Sequence, residues 1–155
     1  WRDEIAVVLD YEKSSILELN SSPNADDKRI ELKYNYPSST FVMLNFEGAV
    51  NVSDLMKSYI NQKVMIVFDE IHRLKMIDGT LYKATQNLVE QTDYRVALTG
   101  TPLPNGYVDL HNQFRILYDD YAHTYFGFSY ENLKDKPHLC AGVIFGKNEK
   151  IISQN

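Results

Sequence analysis

Cysteine is almost missing from this chain. Its 155 residues include one, Cys140, so no disulfide can form within it and an intracellular, cytoplasmic location is the default expectation. With only four scattered histidines beside it, there is no zinc-ligand spacing. No apolar run approaches the roughly 20 residues a membrane helix needs, which leaves no membrane partner to expect. A secretory signal is missing too: the chain opens Trp1-Arg2-Asp3-Glu4 without an initiator Met, and reads as an excised segment of something longer. Basic charge is in deficit, with 16 Lys and Arg against 21 Asp and Glu and a net charge of −5. That argues against a strong electrostatic nucleic-acid footprint, though not against a small local contact face. The phosphate-binding loop Gly-x-x-x-x-Gly-Lys-Ser/Thr is also absent. The nearest run, Gly142-Val143-Ile144-Phe145-Gly146-Lys147-Asn148, is one residue short between its glycines and ends in Asn where Mg²⁺ needs a hydroxyl. Its apolar, β-branched middle suits a strand.

What remains is an ordinary globular composition, 44% hydrophobic and 24% charged, with no internal repeat or low-complexity linker, in a length that suits one domain with a sizeable core. Apolar runs alternate with helical patterns. Strands are expected at Ser15–Leu19, Thr40–Phe46, Lys63–Phe68 and Arg95–Thr99. Helices are expected at Val52–Gln62, with Ser53 as its cap, at Thr80–Gln91, and at Tyr107–Tyr118 with Leu110, Phe114 and Leu117 inward. Residues Lys28 to Tyr34 suit either a short helix or an edge strand. After Tyr118 the pattern blurs: an aromatic-rich stretch at Asp119–Ser129, a short strand at Ala141–Phe145 and the start of a helix at Asn148. The alternation predicts an α/β fold: a three-layer parallel sheet with helices on both faces. A right-handed crossover places the strand ending at Thr99 near the one ending at Phe68, and ligands in such sheets sit beyond the carboxyl ends of the strands.

The stretch Val64-Met65-Ile66-Val67-Phe68-Asp69-Glu70-Ile71-His72 has the form of a buried strand delivering two acids to its exposed tip. In a P-loop NTPase an Asp at this place holds the Mg²⁺ that bridges the terminal phosphates, and a neighbouring Glu can orient or deprotonate the attacking water. Acids after a strand also simply begin loops or cap helices. A second apolar strand runs into Leu98-Thr99-Gly100-Thr101-Pro102-Leu103-Pro104-Asn105, where hydroxyl residues flank a glycine and prolines stiffen the exit. The separation accommodates one helix and a return turn, so Thr99 or Thr101 is expected within reach of Glu70 or His72.

With both motifs in this order, the chain resembles the Snf2 family of helicase-like ATPases of superfamily 2. Asp69-Glu70-Ile71-His72-Arg73-Leu74-Lys75 is similar to that family's motif II, and Leu98 to Asn105 to its motif III. Asn45-Phe46-Glu47 resembles motif Ib, usually written with Tyr in the middle, and Trp1 with Glu4 resembles a Trp-x-x-Glu pattern after motif Ia. Asp109-Leu110-His111 resembles the helix following motif III, where Trp is commoner at the place of His111. Met76 replaces the usual Asn and Ile71 the commoner Ala or Gly. The resemblance covers essentially the whole chain. It implies the first RecA-like lobe of a P-loop NTPase, truncated at its N-terminus so that motif I lies upstream of Trp1, with no second domain in residues 1–155.

The implied activity is ATP hydrolysis with Mg²⁺, coupled to movement on double-stranded DNA and completed by a second RecA-like lobe of the same full-length chain. Asp69 would carry the metal, Glu70 the water and His72 the coupling. Thr99, Gly100 and Thr101 would join the nucleotide site to the DNA face, and Asn45, Arg73, Lys75 and Thr101 would approach DNA. The chain alone is expected not to turn over ATP. An RNA helicase or restriction-type translocase shares Asp-Glu-x-His but usually carries a Ser-Ala-Thr motif III. A degenerate, non-enzymatic DNA- or protein-binding scaffold is the third reading. The compact form suits a bacterial or phage protein, and a nuclear one if eukaryotic. The 11 tyrosines and 7 phenylalanines fit core packing better than a base-stacking platform. His111 and His123 are expected on helix surfaces or in the core, and Asp119-Asp120 as a solvated turn.

Overall fold

A computed structural model describes residues 1–21, 24–74, 79–102 and 107–118. Lys75, Met76, the loop after Pro102 and everything expected after Tyr118, including Asp119-Asp120, His123, Cys140 and the Gly142–Asn148 run, lie outside the described residues. The chain divides into two compact units, Trp1–Ile60 and Asn61 onward.

In the first unit, α1 (Arg2–Val8) leads through a 3₁₀ turn to β1 (Ile16–Glu18). Helix α2 (Ala25–Asn35) follows, then β2 (Phe41–Met43) and α3 (Phe46–Lys57). β1 and β2 pair in parallel, Ile16 opposite Phe41 and Glu18 opposite Met43. The ambiguous Lys28–Tyr34 segment is therefore helical. Asn24 explains why: its side chain accepts from the Asp27 amide at 2.8 Å, and Asp26 and Asp27 complement the helix dipole in the first turn. Leu17, Leu19, Leu32 and Val52 form the core, with Tyr36, Val42, Leu44, Leu55, Met56 and Tyr59 packed against them. Tyr36 and Tyr59 stack at 4.4 Å, and the Tyr36 hydroxyl donates to the Tyr59 carbonyl. That aromatic pair is core, as the composition suggests, whereas Tyr34 is 75% exposed.

Helix α3 starts six residues earlier than the apolar periodicity predicts. Asn45 is its cap, accepting from the Gly48 amide at 2.7 Å. Phe46 is thus helical and not the end of a strand. Ser53, expected as the cap, lies mid-helix and donates to the Val50 carbonyl. A Cβ at position 48 would come within 2.7 Å of Asn45 Oδ1, so the glycine there is what lets the cap close.

The second unit holds β3 (Ile66–Asp69), a 3₁₀ turn at Ile71–Leu74, α4 (Thr80–Val89), β4 (Arg95–Leu98) and α5 (Tyr107–Tyr118). β3 and β4 are parallel neighbours in register from Ile66–Arg95 to Asp69–Leu98. Burial alternates along them. Phe68 is buried, whereas Val67, Val96 and Leu98 on the other face are 39–49% exposed. Two two-stranded parallel pairs are thus described, β1–β2 and β3–β4; they are compatible with the α/β fold the sequence predicts, without showing its three-layer sheet.

Arg95 anchors the lower end of β4. Its guanidinium donates to the carbonyls of Val89, Thr92 and Ile116 at 2.6, 2.8 and 3.1 Å, drawing the carboxyl end of α4 and the last turn of α5 to the same strand. Thr92, fully buried, donates to the Val64 carbonyl at 2.6 Å and accepts from the Tyr94 amide.

Helix α5 buries a polar stripe. Asp109, Asn112, Gln113 and Ile116 repeat at helical spacing and are each at most 5% exposed. His111 is buried beside them. The expected inward residues Phe114 and Leu117 are only half-buried. α5 packs on the Ile71–Leu74 turn, on α4 and on β4.

Candidate functional site

The tips of β3 and β4 lie side by side, Asp69 opposite Leu98. Directly after Asp69 the backbone turns left-handed at Glu70, φ 56°. A non-glycine residue there costs on the order of 1–3 kcal/mol, and the surroundings hold it in place. The Arg73 amide donates to the Glu70 carbonyl at 3.0 Å, closing the turn. Ile71 and Leu74, each 1% exposed, pin it from beneath. The two residues between them are therefore displayed: Arg73 outward to solvent, and His72 half-buried, toward the tip of β4.

His72 Nδ1 has three oxygens around it. Thr99 Oγ1 lies at 2.9 Å, Glu70 Oε2 at 3.1 Å and Thr101 Oγ1 at 3.3 Å. The loop closes on itself as the Thr101 amide donates to Thr99 Oγ1 at 3.1 Å. Gly100 is exposed, and a Cβ added there would meet nothing within 4 Å, so its role is not one of close packing. The loop leaves through Pro102, whose carbonyl accepts from Gln113 Nε2 on α5 at 2.8 Å.

Of the residues singled out in the sequence, Glu70, His72, Thr99 and Thr101 thus converge on one imidazole nitrogen, and Asp69 sits at the adjacent strand tip with its side chain exposed. Arg73 is exposed beside them. Asn45 lies in the other unit, with its side-chain oxygen committed to the α3 cap and its amide accepted by Asn20 Oδ1 at 2.6 Å. Trp1 is 61% exposed ahead of α1, and its carbonyl accepts from the Ile5 amide. Glu4 is exposed on α1. The first unit also carries an open depression of about 620 Å³ beside Trp1. There Arg2 pairs with Glu18, and Lys13 with Asp3, so its charges cancel internally.

Gln113 and Arg95, which hold the two ends of the β4 segment, were not among the expected residues. The signal for Gln113 was present as the polar repeat Asp109, Asn112, Gln113 at helical spacing. The apolar residues Leu110, Phe114 and Leu117 on the same helix mask it in the sequence. Arg95 offered no signal, since an arginine beginning a strand says nothing about the carbonyls it will meet.

Among the described residues no three His, Cys, Asp or Glu side chains gather into a protein-only metal cage. A single strand-tip carboxylate such as Asp69 suits an ion that takes one or two carboxylates and completes its shell with phosphate and water oxygens, as Mg²⁺ does. No helix among the described residues is long and apolar enough to cross a membrane.

No match emerged among curated proteins or among solved structures. The family model described as SNF2-related domain, however, matches residues 1–141. That span contains both strand tips, the histidine bridge and α5: the chain belongs to the SNF2-related domain family, a family of helicase-type ATPases.

Proposed function

We propose that this chain is the part of a first RecA-like lobe that carries motifs Ib, II and III of a Snf2-type ATPase, which hydrolyses ATP to move along double-stranded DNA. The observation that carries the reading is the bridge at His72. One side chain touches the acid proposed to handle the water, Glu70, and the hydroxyls of the neighbouring strand's loop, Thr99 and Thr101. A simple loop acid does not need such a partner. A device that must report nucleotide state to a second surface does.

In this reading Asp69 is the carboxylate that would hold Mg²⁺. The ion, when bound, supplies charge neutralisation at the terminal phosphates. Glu70 accepts a proton from the attacking water and orients it. His72 transmits the position of Glu70 to the Thr99-Gly100-Thr101 loop. That loop, with Arg73 exposed beside it, faces the DNA, and Asn45 and Lys75 add backbone contacts. The arginine that completes phosphoryl transfer comes from a second lobe of the complete protein.

The test is nucleotide turnover by the complete protein with duplex DNA, single-stranded RNA or no nucleic acid. Stimulation by duplex DNA that is lost in Glu70→Gln supports the proposal. Stimulation by RNA alone moves the protein to the RNA-helicase reading. No turnover under any condition, with nucleic acid still bound, makes it a scaffold.

A further inference from the structure

A neutral or protonated imidazole nitrogen offers one in-plane hydrogen bond. His72 Nδ1 has three oxygens within 3.3 Å, so Glu70 and the two threonines compete for it. Which of them prevails depends on where the 99–101 loop stands, to within a fraction of an ångström. The entry to that loop is fixed by β4. Its exit is fixed by Gln113, 4% exposed on α5, through the Nε2 to Pro102 carbonyl bond of 2.8 Å. The carbonyl can only accept, so the amide nitrogen must face it, and a Gln at this position holds the loop in one sense only. The same helix packs on the turn that carries His72. α5 therefore touches both sides of the bridge.

We propose that Gln113 is a positioning residue: by holding Pro102 it keeps Thr99 in first place at His72 Nδ1 and leaves Glu70 free to turn to its water. Without it the loop drifts from the imidazole, Nδ1 passes to Glu70, and the carboxylate is held by its own turn. The catalytic consequence rests on the function proposed above; the hydrogen-bond consequence does not.

Two variants test it, Gln113→Leu, which keeps the bulk, and Gln113→Asn, which keeps an amide one methylene too short. Pro102 is exposed, so its carbonyl can be hydrated and neither change need prevent folding; thermal unfolding of each checks this. In the ¹⁵N-histidine-labelled chain, NMR of the ring nitrogens reads the hydrogen bonding of His72, assigned with His72→Gln. Both variants are expected to shift the His72 Nδ1 resonance, and Glu70→Ala placed on top of either is expected to remove the new Glu70-dependent part. Unchanged His72 signals in both variants overturn the proposal. In the complete protein both variants are expected to lower kcat roughly ten- to a hundredfold at unchanged KM for ATP, and rates equal to wild type overturn it. If the wild-type protein turns over no ATP, the proposed function falls, and the NMR result alone decides the role of Gln113.

Discussion

Arg95→Met removes a guanidinium that ties three carbonyls to the lower end of β4, and its cost can be worked from the contacts. Hydrogen bonds to a charged donor contribute about 1.5–3 kcal/mol each. Those to Val89, Thr92 and Ile116 span 2.6–3.1 Å. Two considerations reduce the sum. Val89 also accepts from the Thr92 amide, so it is not orphaned. The side chain is half-buried, so water reaches part of the site. A net loss of about 3 kcal/mol follows, a large share of the roughly 5–15 kcal/mol that keeps a domain folded. With a urea slope of about 1–3 kcal/mol/M, the midpoint falls by about 1–3 M. Arg95→Lys keeps the charge but lacks the planar fork, so it reaches one carbonyl at a time and falls between the two. Urea unfolding followed by circular dichroism measures all three proteins. A loss under about 1 kcal/mol for Arg95→Met, or equality of Lys and Met, would refute the assignment of β4's anchorage to the fork.

Other outcomes follow from the remaining contacts. Asp69→Asn and Glu70→Gln in the complete protein should each lower nucleotide turnover by at least about a hundredfold, with thermal stability read in parallel to exclude unfolding. Asn45→Ala should cost about 1 kcal/mol by uncapping α3; Asn45→Asp should retain that stability but weaken duplex DNA binding in a gel-shift assay if the residue also meets phosphate. Gly48→Ala gains helix propensity but must expel Asn45 Oδ1 from its 2.7 Å position, so it should show no more stability than wild type, whereas an exposed helical glycine would gain roughly 1 kcal/mol. Asp54 is held below the usual carboxylate range, first by its hydrogen bond from Arg29. The pair's contribution is therefore present above pH about 4 and lost as pH falls through the lowered value. Asp54→Asn should flatten that acid limb in urea titrations from pH 5 to 2, and added salt should flatten it too.

The strand tips were legible because their chemistry is written locally. An apolar run followed by Asp69-Glu70, and another followed by Thr99-Gly100-Thr101, mark where two strands end, and the helix length between them makes parallel neighbours. The beginning of α3 was not legible. Asn45-Phe46-Glu47-Gly48 follows an apolar strand, and Gly48 with Val50 and Val52 weakens the helical pattern, so the capping asparagine read as the end of β2. The face of α5 was misread for a different reason. Hydrophobic periodicity assigns burial to Phe114 and Leu117, which are half-buried, while Asp109, Asn112 and Gln113 are buried, Gln113 on the Pro102 carbonyl. Nor does any local pattern announce that Arg95 will close two helices, since its acceptors lie six residues before it and 21 residues after it.

The left-handed turn at Glu70 carries a consequence for anyone who would engineer this chain. Stability selection at that position favours glycine, which adopts such a backbone freely, or asparagine, which adopts it at a smaller penalty than other side chains. Either exchange discards the carboxylate. Directed evolution for thermal tolerance should thus find an easy gain at residue 70 and lose the acid with it. Under the proposed function, screens for stability alone would drift toward well-folded proteins that have lost the acid proposed to handle the water.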